Sequence, residues 1–210
     1  MLTADQALAF LAAAMLITLS PGPDNLMVLG LGMARGRRQG MSFGLGCALG
    51  CLSHTLLAVL GISALIAASS WAFTALKLGG GLYLLWLGIQ ALRSRGGAAN
   101  AGVGQEAAGE SLRKLFAKGL VANAINPKVL LFFLAFLPQF VAAGRGDSAL
   151  QIAQLGLLFT AQAALLFVSL GYFAGHVGRW IARTPRAGLW LDRVAGGIFV
   201  ALGLRLLVAR

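Results

Sequence analysis

Six apolar runs, each close to or beyond the length needed to cross a bilayer, dominate this sequence. A transmembrane helix needs about 20 mostly apolar residues. Runs of this kind cover residues 6–34, 41–67, 71–92, 115–141, 149–178 and 189–208. Charged residues make up only 11% of the 210 residues, which is too few to cover the surface of a soluble fold. The sequence therefore predicts an all-α integral membrane protein with six transmembrane helices.

The net charge of +11 does not indicate nucleic-acid binding, because the basic residues separate apolar runs and form no basic face. Most of the 17 basic residues fall in the first, third and fifth connections between runs: Arg35, Arg37 and Arg38; Arg93, Arg95, Arg113, Lys114 and Lys118; Arg179, Arg183, Arg186 and Arg193. Cytoplasmic loops are enriched in Lys and Arg. The odd-numbered connections are therefore predicted to be cytoplasmic, and both termini periplasmic or extracellular.

The third connection divides the chain into two halves. Residues 93–114 are rich in glycine and alanine and lack a periodic apolar face, which is typical of a linker. Three runs precede this linker, within residues 1–92, and three follow it, within residues 115–210. An odd number of spans per half forces the halves to insert with opposite orientation, a common transporter design. The sequence predicts one transporter domain, residues 1–210, made of two inverted three-helix repeats.

Prolines interrupt the first and fourth runs. The first contains Pro21-Gly22-Pro23-Asp24 and the fourth contains Asn126-Pro127-Lys128. Each proline lacks an N–H and displaces the carbonyl four residues earlier, so these prolines release the carbonyls of Ile17, Leu19 and Asn123. By helical rise, Asp24 and Lys128 lie roughly 15 Å from the cytoplasmic boundary, near the middle of a hydrocarbon core about 30 Å thick. Unpaired backbone groups are tolerated there only inside protein or beside water, so both breaks should line one cavity.

Asp24 is the only acidic residue deep within an apolar run. A charge at that depth costs about 2.5–3.5 kcal/mol, so its presence needs either a structural or a functional explanation. Asp24 either pairs with Lys128 or caps the resumed helix, or it carries a proton or binds an ammonium group. Asn25, Asn123 and Asn126 add amides at the same level, and the helix that restarts after Pro23 directs backbone N–H groups into the break. The combination suits a zwitterion, with Asp24 binding the ammonium and Lys128 the carboxylate.

Two polar residues on neighbouring runs leave alternatives open. His54 in the second run is either a proton relay or a packed, hydrogen-bonded histidine. Gln162 in the fifth run has the same ambiguity.

These motifs resemble the LysE/RhtB family of bacterial amino-acid exporters. The resemblance rests on the Ser20–Asn25 segment, on Ala34–Gly40 followed by Gly44, Gly46 and Gly50, on Tyr83-Leu84 with Leu87-Gly88, and on Asn126–Lys128 leading to Phe132-Phe133 and Phe136–Phe140. It implies proton-driven export of amino acids or related metabolites across the bacterial inner membrane, with the two breaks at the centre. It leaves the identity of the amino acid and the formation of a homodimer open.

Three other classes of membrane protein fit the sequence less well. A divalent-metal or other cation exporter would need several carboxylate, imidazole or thiolate ligands near the midplane, and only Asp24 and His54 qualify. A thiol–disulfide electron carrier would need one reactive cysteine in each half, whereas Cys47 and Cys51 both lie in the second run. A membrane scaffold would not require charged, broken helices at matching depth. The sequence therefore predicts a transporter without enzymatic activity, cofactor or metal site, with the cation exporter as the alternative.

Overall fold

The computed structural model describes residues 2–94, 109–142, 146–184 and 186–208, and every regular element within them is helical. The α-helices in chain order are α1 (Ala4–Leu19), α2 (Pro23–Arg35), α3 (Arg37–Ala68), α4 (Ser70–Arg93), α5 (Leu112–Ala124), α6 (Pro127–Leu131), α7 (Ser148–Tyr172), α8 (Ala174–Arg183) and α9 (Ala187–Val208). Most of the predicted linker at 93–114 lies outside the described residues, so the division into two repeats stays a prediction.

The first and fourth runs are broken, as predicted. α1 and α2 meet at a bend of 59°, and α5 meets the segment Pro127–Phe140 at a bend of 47°. Pro23 and Pro127 each stand in the first turn of the new helix, where a missing N–H costs nothing. Both breaks are therefore built in the same way, with one helix ending and a proline starting the next.

The fourth run does not resume as a uniform α-helix. After the five residues of α6, Phe132–Phe136 form a π-helix and Leu137–Phe140 a 3₁₀-helix. π-Helical turns are rare and often lie at functional sites. Phe132, Phe133 and Phe136 within this π-turn are fully buried.

The fifth run ends earlier than predicted. α7 ends at Tyr172 rather than near residue 178, and the next residue, Phe173, has the non-helical angles φ −89° and ψ 5°. Gly171 and Gly175 flank this position, and glycine weakens a helix. The following helix α8 is strongly amphipathic, which is typical of a helix lying along a membrane surface.

Three helices are long and apolar enough to cross a bilayer: Arg37–Gly61 of α3, Thr74–Arg93 of α4, and α7. Counting each bent pair as one span raises the number to five. Helix α9 occupies the sixth run but is not among these candidates, and it carries Asp192, Arg193 and Arg205. The count of six crossings therefore stays a prediction.

Helix α3 lies at the centre, with α5 and α7 packed against it, while α4 packs against α9. The α4–α9 contact is close on both sides: a Cβ at Gly88 would lie 2.9 Å from the Gly196 carbonyl oxygen, and a Cβ at Gly196 would lie 2.8 Å from the Gly88 carbonyl oxygen. Small residues allow this close backbone approach, which drives helix association in membranes. The pair α4 and α9 is therefore held together through its glycines.

Candidate functional site

The two breaks meet, and each contributes one charged residue near the start of its new helix. Asp24 follows Pro23 in α2, and Lys128 follows Pro127 in α6. Both side chains are buried, with 4% of Asp24 and 7% of Lys128 exposed. The amino end of a helix stabilises a carboxylate and destabilises an ammonium group. Lys128 therefore needs acceptors from elsewhere.

The Asp24 carboxylate is held by amides of the second break. Asn123 Nδ2 and Asn126 Nδ2 donate to Asp24 Oδ2 at 2.8 Å and 3.0 Å. Asn123 lies in the last turn of α5, and Asn126 caps α6 by accepting a hydrogen bond from the Lys128 backbone N–H. Because every donor is neutral, a positively charged group can still bind more strongly than the donors in place.

The Lys128 ammonium is held by carbonyls of the first break. Lys128 Nζ donates to the carbonyl oxygens of Ile17 at 3.2 Å and Ser20 at 3.1 Å, and it lies 5.8 Å from the centre of the Phe199 ring. The two carbonyls lie at the carboxyl end of α1, where a cation is favoured. The Ile17 carbonyl is one of those that the prolines were predicted to release.

Asp24 and Lys128 do not form the direct ion pair that the sequence left open. The described ion pairs all involve Glu110, which contacts Arg35, Lys114 and Lys118. Each charged residue of one break is instead stabilised by neutral groups of the other.

Gly22 provides the space that the Lys128 ammonium occupies. It caps α2 without a side-chain hydrogen bond, and a Cβ at this position would lie 2.8 Å from Lys128 Nζ. Pro21, the residue before it, borders a larger cavity described below.

The side chains of His54 and Asn25 form hydrogen bonds at the breaks but not with the Asp24 carboxylate. His54 Nε2 lies 2.9 Å from the Asn123 carbonyl oxygen. This carbonyl was predicted to be released by Pro127, but it also accepts a hydrogen bond from the Asn126 backbone N–H at 2.8 Å. Since a carbonyl only accepts, Nε2 carries the hydrogen, and Nδ1 is buried without a partner among the described residues. Asn25 Nδ2 donates to the Thr18 carbonyl at 2.8 Å, so Asn25 belongs to the α1 side of the site. These contacts agree with a packed, hydrogen-bonded His54, while its role as a proton relay stays a prediction.

A small pocket with a mostly apolar lining lies between the charged side chains of Asp24 and Lys128. Its volume is about 10 Å³, roughly the space of one water molecule. The residues that line it are Ile17, Thr18, Asp24, Cys51, Asn123, Lys128, Val129, Phe159 and Phe167. We call it the central pocket.

A second cavity of about 630 Å³ lies beside it, which we call the large cavity. Residues of α2, the second half of α7, α8 and the start of α9 line this cavity, which extends from Thr18 and Pro21 to Trp180 and Asp192. Its lining is mostly apolar, and Asp192 is the one charged residue among the lining residues that the structure describes. Thr18 and Phe167 line both cavities.

Phenylalanine rings close the opposite side of the central pocket. Their centroids lie 4.9–6.5 Å apart. This aromatic cluster consists of Phe10, Phe132, Phe133, Phe136, Phe140 and Phe159. Along α7, Phe159 of the cluster precedes the residues that line the large cavity, Leu166 to Phe173. The central pocket therefore lies between the aromatic cluster and the large cavity.

Sequence reasoning missed Thr18, Cys51 and Phe167. Gln162 Nε2 donates to Thr18 Oγ1 at 2.9 Å, and Cys51 Sγ lies 3.4 Å from Asn123 Oδ1. The position of Thr18, one turn before Pro21, was an available signal. Within the described residues, no three His, Cys, Asp or Glu side chains gather as metal ligands.

The family model for LysE type translocators matches residues 15–210, which include both breaks. The chain belongs to this family. It is 31% identical to the threonine efflux protein of Escherichia coli strain K12, with 91% of this chain and 92% of the relative covered. It is 29% identical to the homoserine/homoserine lactone efflux protein of Salmonella typhimurium, with 96% of each covered. An uncharacterized membrane protein of Vibrio cholerae is 32% identical over 97% of both chains.

As a member of the LysE type translocators, the chain is a multi-pass membrane protein, in agreement with its long apolar helices. The family resemblance inferred from the sequence motifs is thereby confirmed. No solved structure gave a significant match.

Proposed function

We propose that this protein is a secondary active exporter of amino acids or closely related small metabolites, located in the bacterial inner membrane with both termini on the periplasmic side. The names of its threonine and homoserine efflux relatives support an amino-acid substrate. The observation that carries the proposal is the burial of one carboxylate and one ammonium beside the same pocket, each held only by neutral groups.

An amino-acid zwitterion can replace these neutral partners. Its ammonium group displaces the amides of Asn123 and Asn126 from Asp24, and its carboxylate accepts from Lys128 in place of the Ile17 and Ser20 carbonyls. Hydrogen bonds between charged groups are roughly twice as strong as neutral ones. The exchange therefore repays part of the cost of taking the substrate out of water.

The central pocket has to expand to hold a substrate, since about 10 Å³ is too small for an amino acid. In the predicted orientation, the large cavity faces the cytoplasm and the aromatic cluster faces the periplasm. Export then proceeds by alternating access: substrate passes from the large cavity to the breaks, and the phenylalanines separate to release it.

Proton coupling follows if the substrate ammonium and a proton compete for Asp24. A proton arriving from the periplasm neutralises the carboxylate and removes its attraction for the bound ammonium. Loss of the proton to the cytoplasm restores the anion and the affinity for the next substrate. One proton thus enters for each substrate that leaves through this site.

Gradient-driven efflux from proteoliposomes tests the proposal, with labelled threonine and homoserine as the first substrates. Asp24→Asn keeps the shape of the side chain but cannot carry the proton, so we expect coupled efflux to be lost. Asp5→Asn is the matched control, because Asp5 is an exposed acid in the first turn of α1. Undiminished coupled efflux by a folded Asp24→Asn variant would remove Asp24 from the mechanism. Transport of a divalent cation but of no amino acid would favour the cation exporter instead.

A further inference from the structure

Among the described residues, two line both the central pocket and the large cavity: Thr18 on α1 and Phe167 on α7. Their side chains form the partition between the cavity that could admit an amino acid and the pocket that contains Asp24 and Lys128. A molecule moving from one space to the other has to pass between them.

The Thr18 side of this partition is fixed by hydrogen bonds. Asn25 Nδ2 donates to the Thr18 carbonyl and Gln162 Nε2 to the Thr18 hydroxyl, at 2.8 Å and 2.9 Å. The other amide oxygens, Asn25 Oδ1 and Gln162 Oε1, are buried without a hydrogen-bond partner among the described residues. Unsatisfied buried acceptors are costly, so they favour a ligand that donates hydrogen bonds at this point.

The Phe167 side is held differently. Its main chain packs closely on α3, where a Cβ at Gly44 would lie 3.0 Å from the Phe167 Cβ and the Phe167 carbonyl oxygen. Within the described part of the chain, its ring pairs with no other aromatic ring, whereas Phe159 across the central pocket packs on Phe10, Phe132 and Phe133. Rotation of the Phe167 side chain between staggered rotamers is therefore the smallest movement that opens the partition.

We propose that Phe167 is the inner gate of the pathway and that the space between Phe167 and Thr18 sets the largest side chain that a transported amino acid can carry. The size limit rests on the proposed function, whereas the gate does not.

Accessibility of Cys51 tests the gate without any transport measurement. Cys51 lines the central pocket, and Cys47 lines neither cavity. In a Cys47→Ala background in nanodiscs, the rate at which a small, charged methanethiosulfonate labels Cys51 is measured. We expect Phe167→Ala to raise this rate by about tenfold or more, since a buried thiol reacts only when its surroundings open.

Phe173→Ala is the matched control, because Phe173 lines the large cavity alone. Equal labelling rates in the parent, Phe167→Ala and Phe173→Ala proteins would overturn the gate. Phe167→Leu removes less volume and should give an intermediate rate, and it replaces Phe167→Ala as the test if the alanine variant does not fold.

Export of glycine, threonine, leucine and tryptophan then tests the size limit. Phe167→Ala should extend efflux towards leucine and tryptophan, and an unchanged substrate range in this variant would overturn the size limit. Increased Cys51 labelling without export of any amino acid by the parent protein would reject the proposed function and keep the gate. Normal amino-acid export by the parent protein, together with an unchanged Cys51 labelling rate in Phe167→Ala, would keep the proposed function and reject the gate.

Discussion

The Asp24 carboxylate in the first break accepts a 2.8 Å hydrogen bond from the Asn123 side chain, 99 residues away in the second break. In the opposite direction, Lys128 Nζ in the second break donates hydrogen bonds to the carbonyls of Ile17 and Ser20 in the first. Each break therefore carries the charge that the other stabilises. This crossed arrangement joins the two broken helices without a direct ion pair between Asp24 and Lys128.

The crossed arrangement predicts that the contributions of Asp24 and Lys128 to stability are only moderately coupled. The two side chains share no hydrogen-bond partner among the described residues, so only their through-space attraction should couple them, and the losses caused by Asp24→Asn and Lys128→Met should depart from additivity in the double variant by about 1–2 kcal/mol. Reversible unfolding of the purified variants measures this. Transport should behave differently: each single variant should fall to the same low efflux as the double, because both residues act on one substrate. A coupling free energy of several kcal/mol in unfolding would indicate a direct ion pair instead.

Gly22→Ala should weaken transport with little effect on folding. The new Cβ would lie 2.8 Å from Lys128 Nζ, and the end of a lysine side chain can move away at low cost. The displaced ammonium then meets the substrate carboxylate poorly, and we expect the apparent KM for efflux to rise roughly tenfold. Gly79→Ala is the control, since no atom lies within 4 Å of a Cβ at Gly79. An unchanged KM in Gly22→Ala would mean that the position of the ammonium does not matter for binding.

The position of the breaks was predictable because proline acts locally, through its own ring and missing N–H. The hydrogen-bond partners of Asp24 and Lys128 were not predictable, since they depend on how α5 and α6 lie beside α1 and α2. The matching depth of Asp24 and Lys128 left a direct pair open as one alternative, and nothing in the sequence showed that Asn123 and Asn126 would hold the Asp24 carboxylate instead.

The end of α7 and the inner partition were unpredictable for another reason. Hydropathy continues across Phe173 into Val177, so the turn between α7 and α8 leaves no sign in the apolar pattern. Phe167 likewise looks like any core residue in an apolar run. Its place between two cavities depends on the packing of α7 against α1 and α3.

Neighbouring glycines of α9 should differ sharply in their tolerance of a side chain. A Cβ at Gly196 would lie 2.8 Å from the Gly88 carbonyl oxygen, whereas a Cβ at Gly197 would contact nothing within 4 Å. Gly196→Ala should therefore push α9 away from α4 and lower stability by about 1–3 kcal/mol, as overpacking does. Gly197→Ala should leave stability the same or slightly higher, because alanine favours a helix. Thermal unfolding of the two variants in the same detergent compares them directly, and equal melting temperatures would contradict the close α4–α9 contact.

A pH-dependent contribution to stability is expected from Glu110, outside the apolar runs. Hydrogen bonds from Lys118 and Lys114 hold the pKa of the Glu110 carboxyl below its usual value of 4.5. A lowered folded-state pKa means that the stabilisation is complete above pH 4.5 and is lost as the pH falls from there through the folded-state pKa. The melting temperature of the parent protein should therefore exceed that of Glu110→Gln at pH 7, and the difference should shrink below pH 4.5. Added salt should also reduce the difference at pH 7, because these charges are screened. A difference that stays constant between pH 7 and pH 3 would show that the carboxylate charge contributes nothing and that only the shape of the side chain matters.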